Sequence, residues 1–358
     1  MMGMRRLMLG LVCILMVFSL VSCSDGDISS HVSSGADSGN DISLSENDDD
    51  DYIPPVNHEL VGARVRVGVL RGPSGMGLAP LMQWAEGEQR TVNSYHFTQG
   101  GAPEDMTAGL ISGSLDIAQL PVNLASVLYH RLDGDIRVIA INILGVLSIL
   151  DRTGEISGIE DLRGRTIHIT GQGAMPQFVF EHLLRQHNMQ PGVDVTIVYN
   201  AEHSELAALL VAGNVDIGLL PQPFVATVLQ RSDDVRIAID LSEAWEEANP
   251  GLQLVQGVVV VRVPFLEQHP NAVTLFLRDH FESVSYVNLN ADRAAVLMEQ
   301  YDILPAEIAA AAIPHSNLVH IEGAEMRPLI ESILEVLYEA NPQAVGGALP
   351  DEDFFFLG

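Results

Sequence analysis

The sequence repeats one phrase at an interval of one hundred residues, and this repeat limits the folds that the chain can adopt. Residues 110–128 read LISGSLDIAQLPVNLASVL, and residues 210–228 read LVAGNVDIGLLPQPFVATV. The coinciding pairs are Gly113 and Gly213, Asp116 and Asp216, Ile117 and Ile217, Leu120 and Leu220, and Pro121 and Pro221. A repeated α/β unit of this length predicts two similar lobes with a cleft between them.

Each copy of the phrase places an apolar segment between a glycine and a proline. Gly113 and Gly213 stand where a helix is predicted to end, because helix ends often need a residue with positive φ. Pro121 and Pro221 end the predicted buried strand, and a helix is predicted to follow each of them. From residue 62 to residue 263, short apolar strands alternate with helical patterns. This alternation predicts an α/β fold with parallel or mixed sheets that are covered on both faces.

Residues 1–22 have the layout of a secretory signal peptide. Arg5 and Arg6 precede the apolar run Leu7–Leu20, which is about 14 residues long, shorter than the roughly 20 residues that span a bilayer. The sequence LVSC that ends at Cys23 resembles a bacterial lipobox. We therefore expect Cys23 to be acylated, for example with palmitate, and to anchor the protein on a membrane in the cell envelope, outside the cytoplasm. An uncleaved membrane anchor is the alternative.

Residues 23–60 are predicted to form the lipidated cysteine and a disordered acidic tether. Residues 24–60 contain ten acidic residues, including Asp48–Asp51, and no arginine. The whole chain has 47 acidic and 18 basic residues, and every basic residue is an arginine. Without the two leader arginines and the ten tether acids, 37 acidic and 16 basic residues remain, which is a net charge of −21. Nucleic acid and anionic lipid surfaces are therefore poor partners, and no nucleic-acid partner is predicted.

The predicted ligand site follows from a rule for open α/β sheets. Ligands bind beyond the carboxyl ends of the strands, where helix N-termini offer free N–H groups. The rule places Gly72–Gly77, Pro121–Asn123, Gly171–Pro176 and Pro221–Phe224 on the rim of the cleft, although each loop could also only punctuate the fold. The residues predicted to contact the ligand are Ser74, Met76, Gln99, Asn123, Asn142, Gln172, Gln222 and Phe224.

Each of these residues has a structural alternative. Surface capping is the alternative for the polar side chains, and core packing is the favoured alternative for Met76 and Phe224. Arg71 could pair with a ligand carboxylate or sulfonate, but a surface salt bridge is the favoured interpretation. His203 could face either the cleft or solvent.

The order of the motifs resembles the substrate-binding lipoproteins of ABC importers, in particular the nitrate/sulfonate/taurine and thiamine-pyrimidine-like group. The resemblance is carried by GPSGMG at residues 72–77, VDIGLLPQPFVAT at residues 215–227 and GALPDEDFF at residues 347–355. It covers about residues 63–356. It implies the type II periplasmic-binding-protein fold, with two α/β lobes, a hinge and an interlobe cleft. By this resemblance, residues 63–150 and 254–358 form lobe 1, and residues 151–253 form lobe 2.

The resemblance also implies a function. A small molecule that contacts both lobes would favour the closed state, with hinge motion near residues 142–150 and 239–242. The loaded protein would then deliver its ligand to a membrane permease driven by an ATPase subunit. No cofactor and no metal site is predicted. Nitrate, an alkyl sulfonate, a pyrimidine or another planar metabolite could be the ligand, and the loop glutamines with Phe224 favour a heteroaromatic or amide-bearing one.

Two other functions stay open. The first is an enzyme of the same fold, of the chorismate-dehydratase or pyrimidine-precursor type. An export signal disfavours the former, and the cysteine-rich motif of the latter is missing. The sequence also lacks HExxH, Walker and Gly-x-Ser-x-Gly motifs, so a protein that is not an enzyme is predicted. The second alternative is a lipoprotein adhesin or sensor with a degenerate cleft.

Overall fold

The computed structural model describes residues 61–87 and 90–358. The predicted signal peptide, Cys23 and the acidic tether lie outside the described residues. No helix in the described ranges combines the length and the apolar character needed to cross a membrane. The described chain contains eleven strands in two sheets, and helices pack on the faces of both.

The elements follow one another along the chain as alternating strands and helices. The strands are β1 Arg64–Leu70, β2 Ser94–Gly100, β3 Ile117–Pro121, β4 Ile136–Leu144, β5 Leu147–Asp151, β6 Thr166–Ile169, β7 Thr196–Tyr199, β8 Ile217–Pro221, β9 Arg236–Asp240, β10 Val255–Arg262 and β11 Leu318–Ile321. The helices are α1 Pro73–Met76, α2 Ala79–Glu86, α3 Pro103–Ser112, α4 Val122–Arg131, α5 Met175–Gln186, α6 His203–Val211, α7 Phe224–Arg231, α8 Leu241–Ala248, α9 Val263–Gln268, α10 Pro270–Leu289, α11 Ala291–Gln300, α12 Ala306–Ala312 and α13 Met326–Ala340.

The first sheet has the strand order β11-β4-β10-β3-β1-β2. β1 is parallel to β2 and β3, whereas β10 runs antiparallel to β3 and β4 on either side of it. β10 reads VQGVVVVR and is buried along most of its length, as expected for a central strand covered on both faces. β2 lies at the edge, and its exposed and partly buried residues alternate as the period of a half-buried strand requires.

The second sheet has the strand order β7-β6-β8-β5-β9. β6 is parallel to β7 and β8, and β5 runs antiparallel to β8 and β9. All five strands come from residues 147–240, whereas the first sheet takes strands from both sides of that stretch. The predicted lobe boundaries near residues 150 and 254 stay predictions.

Helix α13 packs against both halves of the molecule, where the first half is built on the first sheet and the second half on the second sheet. Its sequence repeats apolar residues every three or four positions, and the buried ones include Leu329, Ile330, Ile333, Leu334 and Leu337. The helix contacts α4, which follows β3, and α5, which follows β6. Each buried leucine or isoleucine contributes about 1.5–3 kcal/mol relative to an exposed one, so this helix stabilises the contact between the two halves.

Candidate ligand-binding site

The carboxyl edges of the two sheets adjoin at a link of two residues. β4 ends at Leu144 on the carboxyl edge of the first sheet, and Gly145 and Val146 follow it. β5 then begins at Leu147, which pairs with Pro221 on the carboxyl edge of the second sheet. The strand ends that precede the predicted binding loops therefore border one region, next to this link. In open α/β sheets this is where ligands bind.

Hydrogen bonds hold the backbone of the link from both sides. The carbonyl oxygen of Gly145 accepts a bond from Asn317 Nδ2 at 2.6 Å. The backbone N–H of Val146 donates to Gln256 Oε1 at 3.1 Å, and the backbone N–H of Gln222 donates to Val146 O at 2.9 Å. Because Gln222 follows β8 and Gln256 lies on β10, the link connects the two carboxyl edges directly.

Two buried side-chain amides fix the short helix α1, which follows β1. Gln119 Nε2 donates to the carbonyl oxygen of Ser74 at 2.5 Å, and Asn142 Nδ2 donates to the same oxygen at 3.1 Å. Gln119 and Asn142 are only 1% and 2% exposed. Side chains from β3 and β4 therefore position α1, where the sequence predicts a loop.

Asn142 also carries a polar atom that the protein leaves unsatisfied. Its Oδ1 is buried and has no hydrogen-bond partner among the described residues. A Cβ on Gly257 would lie 2.5 Å from Ile143 Cγ2, 3.0 Å from Asn142 Oδ1 and 3.6 Å from Ser74 Oγ, so a larger residue at this position would crowd both oxygens. Burying such an acceptor without a donor costs about 1–3 kcal/mol, which a ligand donor could offset.

Gln222 presents the matching donor on the second edge. Its side chain is nearly buried, and Oε1 accepts a bond from the backbone N–H of Ala226 at 3.2 Å. Its Nε2 is buried and lacks a partner within residues 61–87 and 90–358. The two edges thus contribute one unpaired acceptor and one unpaired donor.

A polar pair lies just after the end of β6, with Thr170 buried and His203 partly buried. Thr170 Oγ1 and His203 Nδ1 share a hydrogen bond at 2.5 Å, and the His203 ring packs 5.2 Å from the ring of Phe224. Burial lowers the pKa of His203, so its ring is neutral near pH 7. The side chains of Asn142, Gln222, Thr170 and His203 at the candidate site are therefore uncharged near pH 7, and Phe224 adds an aromatic ring.

The structure places the other predicted contact residues in different surroundings. Met76 is fully buried in the core at the end of α1, and Gln172 is exposed on its loop. Gln99 Nε2 donates to the carbonyl oxygen of Tyr301 at 2.6 Å, and Asn123 Nδ2 donates to that of Ala344 at 3.4 Å. These contacts fit the structural alternative for Met76 and Asn123. Whether any of the eight predicted residues contacts a ligand stays a prediction.

Arg71 and His203 each had two interpretations, and Gln119 and Thr170 are further polar residues near the candidate site. Arg71 forms a salt bridge with Asp302 at 3.2 Å, which was the favoured interpretation, and His203 is partly buried, with its ring packed beside that of Phe224. Gln119 and Thr170 were not predicted as site residues. For Gln119 the available signal was a lone amide within the apolar strand sequence IAQLP. In the described residues, no group of three His, Cys, Asp or Glu side chains is arranged to hold a metal ion.

Comparison with known proteins finds a match to one family model and a shared fold. Residues 156–300 match the model of the NMT1-like family. An ABC transporter from Parabacteroides distasonis matches in structure with a TM-score of 0.69 and 22% identity, over 81% of this chain and 98% of that chain. The periplasmic aliphatic sulphonate-binding protein SsuA from Escherichia coli matches with a TM-score of 0.63 and 19% identity, over 79% and 90%. The chain has the periplasmic-binding-protein fold.

A third solved structure shares the fold at lower sequence identity. The periplasmic nitrate-binding protein NrtA from Synechocystis PCC 6803 shares this periplasmic-binding-protein fold at a TM-score of 0.54 and 11% identity, over 79% of this chain and 84% of that one. No curated protein matches the sequence significantly. The two-lobe α/β fold and the resemblance predicted from the sequence are confirmed. At these identities the solved structures establish the fold and leave the ligand open.

Proposed function

We propose that the protein is the substrate-binding component of an ABC importer. It captures a small molecule between the carboxyl edges of its two sheets and delivers it to a permease with an ATPase subunit. The observation that carries the proposal is the pair of buried, unpartnered amide atoms, Asn142 Oδ1 and Gln222 Nε2, on opposite sides of the link. The NMT1-like match and the fold shared with sulphonate- and nitrate-binding proteins support it.

The binding cycle follows from these two atoms. A ligand that donates to Asn142 Oδ1 and accepts from Gln222 Nε2 satisfies a polar group on each edge. Only a conformation that brings both edges to the ligand gains both bonds, so binding shifts the population toward that conformation. The Gly145–Val146 link, with the lobes taken as residues 63–150 with 254–358 and residues 151–253, would accommodate the motion.

The same atoms restrict the class of ligand. Nitrate and sulfonate oxygens are hydrogen-bond acceptors, so they can accept from Gln222 Nε2 but offer nothing to Asn142 Oδ1. An uncharged ligand with a donor and an acceptor satisfies both, and a planar ring could also stack beside Phe224 and His203. We therefore propose a neutral heteroaromatic or amide-bearing ligand.

Thermal-shift and calorimetric titration of the purified protein test this proposal. The probes are sodium nitrate, ethanesulfonate, taurine, a hydroxymethylpyrimidine and nicotinamide. Stabilisation by at least one neutral heteroaromatic probe is expected. Stabilisation by nitrate or sulfonate alone would refute the ligand class but retain the binding role, and mass spectrometry of co-purified small molecules would identify an untested ligand.

Substitution of the two amide side chains tests whether they bind the ligand or only support the fold. Asn142→Leu and Gln222→Leu should each weaken binding at least about ten-fold, because each removes one ligand hydrogen bond. Asn214→Leu is the matched control, since Asn214 is exposed in the second copy of the repeated phrase. Equal affinity in all three variants would reject this site. Circular dichroism confirms that each variant is folded.

We also propose that Cys23 is acylated and holds the protein in the cell envelope, outside the cytoplasm. The support is the sequence alone: an arginine pair, an apolar run and the LVSC sequence that ends at Cys23. Cell fractionation with labelled palmitate should find label on the parent protein in the membrane fraction. Cys23→Ala should release the protein and lose the label; retention in the membrane without label would indicate an uncleaved anchor.

A further inference from the structure

A second concave surface lies at the opposite, amino edge of the first sheet. β1 begins at Arg64 there, and the antiparallel strand β10 ends there at Arg262. The open pocket between them has a volume of about 650 Å³. Its polar lining consists of Arg64, Arg66, Asp116, Arg262, Gln268 and His269. It is separated from the candidate ligand site by the length of the strands.

One ion pair in this pocket is internally satisfied. Asp116 is 2% exposed, and its Oδ2 accepts bonds from Arg66 Nε at 2.8 Å and from the backbone N–H of Arg66 at 2.9 Å. The Arg66 guanidinium also donates to the other carboxylate oxygen and to the carbonyl oxygen of Gly113. This pair therefore contributes little net charge to the pocket.

The other two arginines are not neutralised. Within the described part of the chain, the guanidinium groups of Arg64 and Arg262 have neither an ion pair nor a hydrogen-bond partner. The Arg262 guanidinium lies against Gly113, where a Cβ would come within 3.0 Å of it. The pocket thus holds two unpaired positive charges in a domain whose net charge is −21, counted from residue 61 onward.

The second sheet shows that the fold does not require an unpaired arginine here. Arg152 follows β5 as Arg262 ends β10, and the backbone N–H of each donates at 2.9 Å to the carbonyl oxygen of the repeated aspartate, Asp216 or Asp116. The guanidinium of Arg152 donates to the carbonyl oxygen of Leu210, and it pairs with the Asp234 carboxylate at 3.3 Å. The guanidinium of Arg152 therefore has protein acceptors, whereas that of the equivalent Arg262 has none among the described residues.

We propose that this arginine pocket, defined by Arg64, Arg262, Gln268 and His269, binds a phosphate group. Planar guanidinium groups donate paired hydrogen bonds to phosphate oxygens with matching geometry. The Gln268 amide and a His269 ring nitrogen are further donors on the same rim. The phosphate is either a free ion or the headgroup of an anionic lipid, since both present the same oxygens.

Isothermal titration calorimetry with sodium phosphate, against sodium chloride at equal ionic strength, tests the pocket. The protein carries Cys23→Ala, so that no acyl chain contributes. Arg64→Gln and Arg262→Gln should each weaken phosphate binding at least about ten-fold, because each removes charge-assisted bonds. Arg231→Gln is the charge-matched control, since Arg231 is exposed at the end of α7 in the other half. An equal loss in the control would overturn the proposal.

Vesicle sedimentation distinguishes the two sources of phosphate. The same protein is mixed with phosphatidylcholine vesicles, with and without phosphatidic acid. Selective sedimentation with phosphatidic acid supports a lipid headgroup, whereas calorimetric binding without sedimentation supports a free ion. Gln268→Glu should weaken either form of binding while leaving both arginines in place. Absence of both calorimetric binding and selective sedimentation in the parent would overturn the proposal.

Discussion

Asp116 and Asp216 occupy the same position in the two copies of the repeated phrase but have different surroundings. The backbone carbonyl of each accepts an N–H from the arginine of the adjacent antiparallel strand at the same distance, 2.9 Å. The Asp116 side chain is buried against Arg66, whereas the Asp216 side chain is exposed. The two copies of the repeat therefore share the backbone contacts that build each sheet, while the side chains at equivalent positions make different contacts.

The largest difference between the halves should appear when each aspartate loses its charge. Asp116→Asn should lower the free energy of unfolding by about 2–3 kcal/mol, because it breaks a buried ion pair whose arginine is partly solvated. Asp216→Asn should change it by less than about 0.5 kcal/mol, as exposed substitutions do. Urea denaturation of both variants measures the difference. Similar losses at the two positions would contradict the comparison.

Acid should affect the half that contains α10 most strongly. His280 Nδ1 and His320 Nδ1 share a hydrogen bond at 2.7 Å, and burial lowers the pKa of His280 to about 3. Burial also lowers the pKa of His320, which lies 3.3 Å from Glu322. The unfolded state binds protons below about pH 6.5, while the folded state excludes them. Stability should therefore be complete above pH 6.5 and fall toward pH 3, by up to about 1.4 kcal/mol per pH unit for each histidine that the folded state keeps neutral.

Histidine substitutions test whether His280 causes this loss of stability in acid. In His280→Leu, thermal unfolding between pH 4 and 6.5 should show a flatter dependence on pH than in the parent. His96→Leu, which alters an exposed histidine on β2, should retain the parent slope. A parent slope in His280→Leu would show that another group causes the acid sensitivity.

The second half has its own polar pair, whose loss should cost less. Thr170→Val removes the buried hydroxyl bonded to Nδ1 of the partly buried His203, so a loss of about 1–1.5 kcal/mol is expected. Thr166→Val is the control, because Thr166 is exposed and lies on β6, the strand just before Thr170. Chemical denaturation should separate the two variants. An unchanged midpoint in Thr170→Val would mean that the hydrogen bond contributes no net stability.

The smallest predicted effect should be nearly equal in the two halves. Gly113 and Gly213 have φ values of 71° and 70°, so alanine at either position should cost about 1 kcal/mol. A Cβ at Gly113 would also lie 3.0 Å from Arg262, against 3.8 Å from Arg152 at Gly213, which should make the first loss slightly larger. Gly101→Ala, with open space around its Cβ, should be neutral. A clear loss at only one of the repeated glycines would contradict equivalent helix ends.

The order of strands and helices could be predicted because its signals are local. The valine run of β10 and the break at Gly145 between β4 and β5 are visible in a window of a few residues. Strand β11 was not predicted, because four residues reading LVHI pair with β4 across a long sequence separation. Helix α8 was not predicted either, although its buried residues Leu241, Ala244 and Trp245 have helical spacing and Asp240 caps its first turn.

The candidate site was predictable only where side chains follow strand ends. The rule for strand ends predicts Ser74, Asn142 and Gln222 as ligand contacts, and all three lie near the junction of the carboxyl edges. Gln119 was missed because it lies within β3, where the pattern predicted core. Asn123 bonds to the carbonyl oxygen of Ala344, which is 221 residues away, and no local pattern encodes such a contact.

The interrupted strand order of the first sheet also affects how a nascent chain can fold. The strands β5 to β9 are complete once residue 240 has been synthesised, so the second sheet can form early. The first sheet cannot, because β10 inserts between β3 and β4 and is made later than all five. Until then, β3 and β4 have unpaired edges that could pair with other chains. The repeat that gives the two halves a common architecture thus leaves them with unequal risks of aggregation during synthesis.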